Sequence, residues 1–150
     1  MKRCMVLFLS FVLVFSLGCP VLAAGTGEVI YSEEYILPNG IRVVDSITVY
    51  SNSRTNTISA ERDKNLYDGD TLVAYIRFEA AFRYDGYNVS VFYKAVTHTD
   101  TYDGWSYVQN SFTESEGSVT LDAKITKWLV FNTPFTMTLT CDENGNISHS

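Results

Sequence analysis

The sequence predicts an all-β fold, an antiparallel two-sheet sandwich of about seven to nine strands, on three observations. No stretch after the first 24 residues carries a helical period, apolar residues alternate with period two instead, and glycine-bearing turn signals recur. Those signals are Pro38-Asn39-Gly40, Asp68-Gly69-Asp70, Asp85-Gly86, Asp103-Gly104, Glu116-Gly117 and Asn144-Gly145. Alternation needs one packed face and one wet face, which two stacked sheets of the immunoglobulin-like or jelly-roll kind supply. A closed β-barrel is the alternative.

The chain opens on Lys2 and Arg3, followed by an apolar run from Met5 to Leu17 broken only by Ser10 and Ser16, and then by Ala23 and Ala24. This is the pattern of a secretory signal peptide. A membrane anchor needs roughly 20 apolar residues to cross a core of about 30 Å, and Gly18-Cys19-Pro20 interrupts the run first. The expected cut follows Ala23 or Ala24, which makes residues 1–24 the leader and 25–150 one extracellular domain without a membrane span. A lipoprotein cut before Cys19 fits less well, because Ser16 stands where that pattern wants leucine and Pro20 follows directly.

Losing Lys2 and Arg3 leaves 9 of 11 basic residues against 17 acidic ones, a net charge of 9 − 17 = −8. Such a surface repels nucleic acid and anionic lipid, so neither is an expected partner. Cys4 and Cys19 leave with the leader, and Cys141 is then the one cysteine kept.

Glu28 to Leu37 and Ile41 to Tyr50 read as a first strand pair around Pro38-Asn39-Gly40, and Thr55 to Arg62 as a further strand. The clearest hairpin is TLVAYIRFEAAFRYDGYNVSVFYKAVTH, apolar at every even position from Leu72 to Tyr84. A two-residue type I′ loop at Asp85-Gly86 sets Tyr84 opposite Tyr87, Phe82 opposite Val89, Ala80 opposite Val91, Phe78 opposite Tyr93 and Ile76 opposite Ala95. A slip of one residue would turn one apolar face to water. The other face then sets Val73 against His98, Tyr75 against Val96, Arg77 against Lys94 and Glu79 against Phe92.

The same reasoning at SYVQNSFTESEGSVTLDAKITKW, with Glu116-Gly117 as a two-residue loop, sets Val108 opposite Ile125, Asn110 opposite Ala123 and Phe112 opposite Leu121. Asn110 is the one polar intrusion. Phe135, Met137, Leu139 and Cys141 then alternate with Thr136, Thr138 and Thr140, which turns Cys141 to the core.

FRYDG, the tryptophan Trp105 and the closing TLTCDENGNIS together resemble a group of short, uncharacterised secreted proteins of Gram-positive gut bacteria. Those carry aromatic-x-Tyr-Asn-Gly, then a tryptophan, then Leu-Thr-Cys and an Asn-Gly turn. The resemblance spans roughly Thr55 to Ser148 and implies a fold and an extracellular compartment, but no activity. It also implies a second cysteine near the position of Val91, paired with the one matching Cys141; Val91 removes that pairing here.

No catalytic, metal-binding or cofactor-binding residues are expected. Cys141 with His98 or His149 would supply a thiol and a base, yet a reactive thiol must be partly exposed, and Cys141 sits mid-strand among apolar residues. Asp142, Asn144 and Asn146 place oxygens alternately, as calcium requires, but glycine falls fourth rather than sixth. Asp68 with Asp70, and Asp100 with Asp103, read more simply as turns. Asn88-Val-Ser90 and Asn146-Ile-Ser148 match a glycosylation pattern. The candidate site is a partner-binding patch of Tyr75, Phe92 and Val96, since flat aromatic groups give large contact area at low entropy cost. The expected function is a secreted, non-catalytic module binding an extracellular protein or glycan. The alternative is a small secreted effector, bacteriocin-like or toxin-associated.

Overall fold

The computed structural model describes residues 26–52, 55–98, 103–128 and 131–150; the leader and its cleavage sites, with Asp100, lie outside the described residues. Nine strands form: β1 (Glu28–Ile36), β2 (Arg42–Asn52), β3 (Thr57–Asp68), β4 (Thr71–Tyr84), β5 (Val89–His98), β6 (Trp105–Ser115), β7 (Ser118–Lys127), β8 (Phe131–Cys141) and β9 (Ile147–His149). They make two antiparallel sheets, one ordered β1-β2-β3-β4-β5 and one β6-β7-β8-β9. The expected two-sheet all-β fold is therefore what forms, and neither sheet closes into a barrel. Every neighbour in a sheet is also a neighbour in sequence, so the connectivity is a plain meander in each sheet, simpler than the Greek keys of immunoglobulin-like and jelly-roll sandwiches.

The apolar parity of each strand builds one core between the sheets. Ile47, Phe78, Phe82, Val119, Leu121, Met137 and Leu139 are wholly enclosed, and Phe78 of the first sheet meets Phe112 of the second edge-on at 5.8 Å. The third strand is longer than the sequence suggests, because Arg62 and Lys64 continue the inward row through Leu66.

Three charged side chains share that inward row. Asp45 pairs with Lys64 and is flanked by Arg62, and all three are buried. Arg62 holds Asp45 through two hydrogen bonds of 3.0 Å, and Lys64 adds a third at 2.8 Å. Lys64 also donates to the hydroxyl of Tyr35, and Arg62 to the backbone oxygen of Ser150. The last bond crosses from the first sheet to the second. Burying an ion costs several kcal/mol unless geometry and further hydrogen bonds offset it, and this cluster has both.

Bulges correct the expected registers. In the main hairpin Tyr84 lies opposite Val89, so the loop is the four residues Asp85 to Asn88 rather than Asp85-Gly86 alone. The Asp85 carboxylate accepts the backbone N–H groups of Tyr87 and Asn88, which favours the longer turn. Phe82 then faces Val91, Phe92 is the extra residue of a bulge, and beyond it Ala80 faces Lys94, Phe78 faces Val96 and Ile76 faces His98. In the second hairpin Phe112 faces Leu121 as expected, but Asn110 is the extra residue and Tyr107, not Val108, faces Ile125. The bulge ejects the one polar intrusion and turns Tyr107 and Trp105 inward. A bulge exchanges one ladder position for a change of facing.

The turns divide into two groups. The β2–β3, β4–β5, β6–β7 and β8–β9 turns share one end, where Gly86 donates to the Glu143 oxygen and the Tyr84 ring lies against Gly145. The β1–β2 and β3–β4 turns lie at the other, with the last residues of β5 and β7 and the first of β6 and β8.

Candidate functional site

The patch expected from the main hairpin does not assemble on one face. Tyr75 is half-buried on the outer face of β4, where it pairs with Asn65. Val96 faces Phe78 on the inner side and packs against the core. Phe92 is exposed on its bulge, with Arg83 over the ring at 5.7 Å. Phe92 lines a surface depression shared with Thr57, Arg83, Asn88 and Ser90.

The thiol and the two histidines are also apart. Cys141 is buried and its thiol donates to the Asp142 backbone oxygen. Burial, and secondarily the Asp142 charge, pushes that thiol up to about 11. His98 stacks on Tyr107, and His149 lies against Tyr31, each with ring centroids 4.2 Å apart. The oxygens of the β8–β9 turn face inward to their own loop. Asp142 accepts from Asn144 and Asn146 backbone N–H and from the Asn146 amide, bonds that hold its carboxyl below the ordinary carboxylate value. Among the described residues no group of three or more His, Cys, Asp or Glu side chains is placed to hold a metal ion.

The most developed site lies instead at the opposite end. Both tryptophans of the chain meet there, with Phe131, Lys127, Asn39 and Asp68, around a pocket of about 340 Å³. Four connections bring them together. Asn39 comes from the β1–β2 turn, Asp68 from the end of β3, Trp105 from the first residue of β6, and Lys127, Trp128 and Phe131 from the β7–β8 corner. Trp105 is only 2% exposed, and the bulge at Asn110 is what turns it inward. Phe131 meets its ring edge-on at 4.8 Å. Trp128, by contrast, is 70% exposed.

Two features set this pocket apart. Trp105 Nε1 is a buried donor with no hydrogen-bond partner among the described residues, and such a group costs about 1–3 kcal/mol to leave unsatisfied. Among the described residues, Asp103 and Trp128 are the non-glycine positions with left-handed backbone, at φ 47° and 49°. Trp128 lines the pocket, and Asp103 reaches it through Lys127. Each such conformation costs on the order of 1–3 kcal/mol, and such strain gathers at functional sites. Trp128 is held there by its N–H donating to the Gly104 oxygen, while Gly104, itself at φ 82°, leaves room for the indole. The Lys127 ammonium sits 5.2 Å from the Trp105 ring centroid and 6.0 Å from that of Trp128, and 3.8 Å from the Asp103 carboxylate.

Sequence reasoning named Trp105 but not Trp128, Lys127 or Phe131. The available signal was that both tryptophans stand at predicted strand ends, where an aromatic residue is spared from the sheet interior. Compared with protein-family models, with curated proteins and with solved structures, the chain matches none.

Proposed function

We propose that this chain is a secreted, non-catalytic β-sandwich module that binds an extracellular partner, and that the Trp105–Trp128–Phe131 pocket is the seat. The single observation that carries the reading is the gathering of an exposed indole, Trp128, with Trp105, Phe131 and Lys127 around one concave site. A ligand pocket typically offers apolar walls with a few convergent polar groups in roughly 300–1,000 Å³, and this one is about 340 Å³ with an ammonium, a carboxylate and an amide on its rim. Binding and recognition residues concentrate on connections held by a rigid scaffold, and four connections converge here. The signal-peptide pattern of the first 24 residues supports export.

The experiment has two arms. N-terminal sequencing of the protein recovered from the medium of an expressing bacterial host should read from Ala24 or Gly25; an uncleaved cytoplasmic product overturns the secreted reading. The recovered protein is then applied to glycan and peptide arrays beside its Trp128→Ala variant. Signals that vanish in the variant support the pocket as the seat, and signals of unchanged strength overturn it.

A further inference from the structure

We infer that the pocket takes one ring of a neutral saccharide. This rests on the reading of the pocket as the binding seat and adds the class of ligand.

The argument is a matching of groups. Trp128 offers an exposed indole face and Phe131 a half-buried ring, which suit the C–H face of a pyranose, since aromatic surfaces stack on flat apolar faces at low entropy cost. Around them stand the Lys127 ammonium, the Asp68 carboxylate and the Asn39 amide. A saccharide hydroxyl both donates and accepts, so one ring edge can serve all three.

Other classes leave something unmatched. An aromatic cluster would attract a cation, but Lys127 already stands over both indoles, and a second positive charge would be repelled. An anion would meet Asp68 in the pocket and Asp103 beside it, on a chain of net charge −6. A purely apolar guest would cover Lys127 and Asp68 without pairing them, at the cost of unsatisfied buried groups. An extended peptide gains its affinity from a strand edge, whereas this pocket is walled by turns and strand ends. One charge of each sign on the rim, with donors and acceptors about an aromatic floor, selects a neutral polyhydroxylated ring.

The test uses the chain's own two indoles, which give two indole N–H signals in a nitrogen-edited proton spectrum. The whole secreted protein is titrated with cellohexaose, xylohexaose, mannohexaose, maltohexaose and chitohexaose, each to roughly 10 mM, a range that captures weak single-ring affinities. Oligogalacturonate and a lysine-rich peptide serve as charged probes. The expected result is that at least one neutral hexaose moves the indole signals, that of the exposed Trp128 most, as a sugar ring packs in the pocket. Trp128→Ala should weaken that binding at least about tenfold, with the Trp105 signal of the free variant at its original position as proof of an intact core. The inference is overturned if all neutral hexaoses leave both signals in place. If a charged probe moves them instead, the saccharide class falls while the pocket stands as a binding seat. If a hexaose binds but Trp128→Ala binds it equally, the pocket falls with it.

Discussion

Gly104 lies directly beneath the indole of Trp128: a methyl group built on its α-carbon would stand 2.0 Å from Trp128 Nε1. The contact is possible only for glycine, and the φ of 82° at this residue separately disfavours any side chain. Two independent constraints thus meet at one position, and both leave room for the indole to lie against the backbone.

The Gly104→Ala variant should therefore change two things at once. A left-handed backbone costs an L-residue roughly 1–2 kcal/mol, which a urea melt reads as a lower midpoint. The indole must also swing off its shelf, so the Trp128 indole N–H signal should shift while that of Trp105 stays near its place. An unchanged midpoint and an unmoved Trp128 signal together would show that glycine is not what seats the ring.

A second prediction concerns the buried cluster. Asp45→Asn leaves Arg62 and Lys64 facing each other without the carboxylate they share, and breaking a buried pair in this way costs about 3–5 kcal/mol. Replacing all three together, as Asp45→Leu, Arg62→Met and Lys64→Leu, should recover most of that loss, because the penalty lies in the uncompensated charge. Urea midpoints of the two variants decide it. Equal destabilisation of single and triple variants would mean that the polar network itself, Tyr35 and Ser150 included, carries the stability.

The same cluster predicts acid sensitivity. Burial alone would raise the Asp45 carboxyl, but the hydrogen bonds and charges of Arg62 and Lys64 prevail and hold it below its ordinary 3.8. A depressed carboxyl contributes stability that is complete above the unfolded-state value and is lost as pH falls through the folded-state value. The wild-type protein should thus lose stability below about pH 4, and Asp45→Asn should show a shallower acid limb. Parallel limbs in the two proteins would assign the acid sensitivity to other carboxylates.

Much of this architecture was legible in the alternation of β4, of β7 from Val119 to Ile125 and of β8 from Phe135 onward, where every second residue is apolar and no bulge interrupts the middle of the strand. The charged row was legible in principle as well. Asp45 stands at the parity of Val43 and Ile47, and Arg62 and Lys64 at that of Ala60 and Leu66, so all three fall on apolar faces. The registers failed at Phe92 and Asn110 because an extra residue leaves no mark in a period-two pattern except a polar or aromatic residue out of place. Asn110 was that mark. The two indoles of the pocket were within reach of the sequence, since the register that sets Val108 opposite Ile125 also sets Trp105 opposite Trp128; the approach of Asn39 and Asp68 was not, because they come from the other sheet.

Thiol chemistry supplies a further check. Burial first, and the neighbouring Asp142 charge second, raise the Cys141 thiol from 9.0 to about 11, and the thiolate is the reactive form. A disulfide reagent at neutral pH should label Cys141 slowly in the native protein and rapidly in urea. Because the folded-state value is raised, stability is complete below pH 9.0 and declines as pH climbs towards 11. Native labelling as fast as that of the unfolded chain would place the thiol at the surface.

The last prediction turns on the bulge that aims Trp105 inward. Gln109 already lies opposite Ala123 and Ser111 opposite Asp122, and those partners are consecutive residues of β7. Deleting Asn110 therefore joins two segments that are already in register, and Phe112, Tyr107 and Trp105 all keep their facing. Deleting Val108 as well leaves no spare residue to absorb the loss, so everything before it shifts by one and a one-residue shift reverses the face of each side chain. Tyr107 would then leave Ile125, and Trp105 would turn from the core to water. Tryptophan emission distinguishes the single from the double deletion. Loss of Asn110 should leave the spectrum close to wild type, whereas loss of both residues should shift it to longer wavelength and lower the urea midpoint. If deleting Asn110 also exposes Trp105, the facing of that indole depends on the twist the bulge imparts and not on residue parity alone.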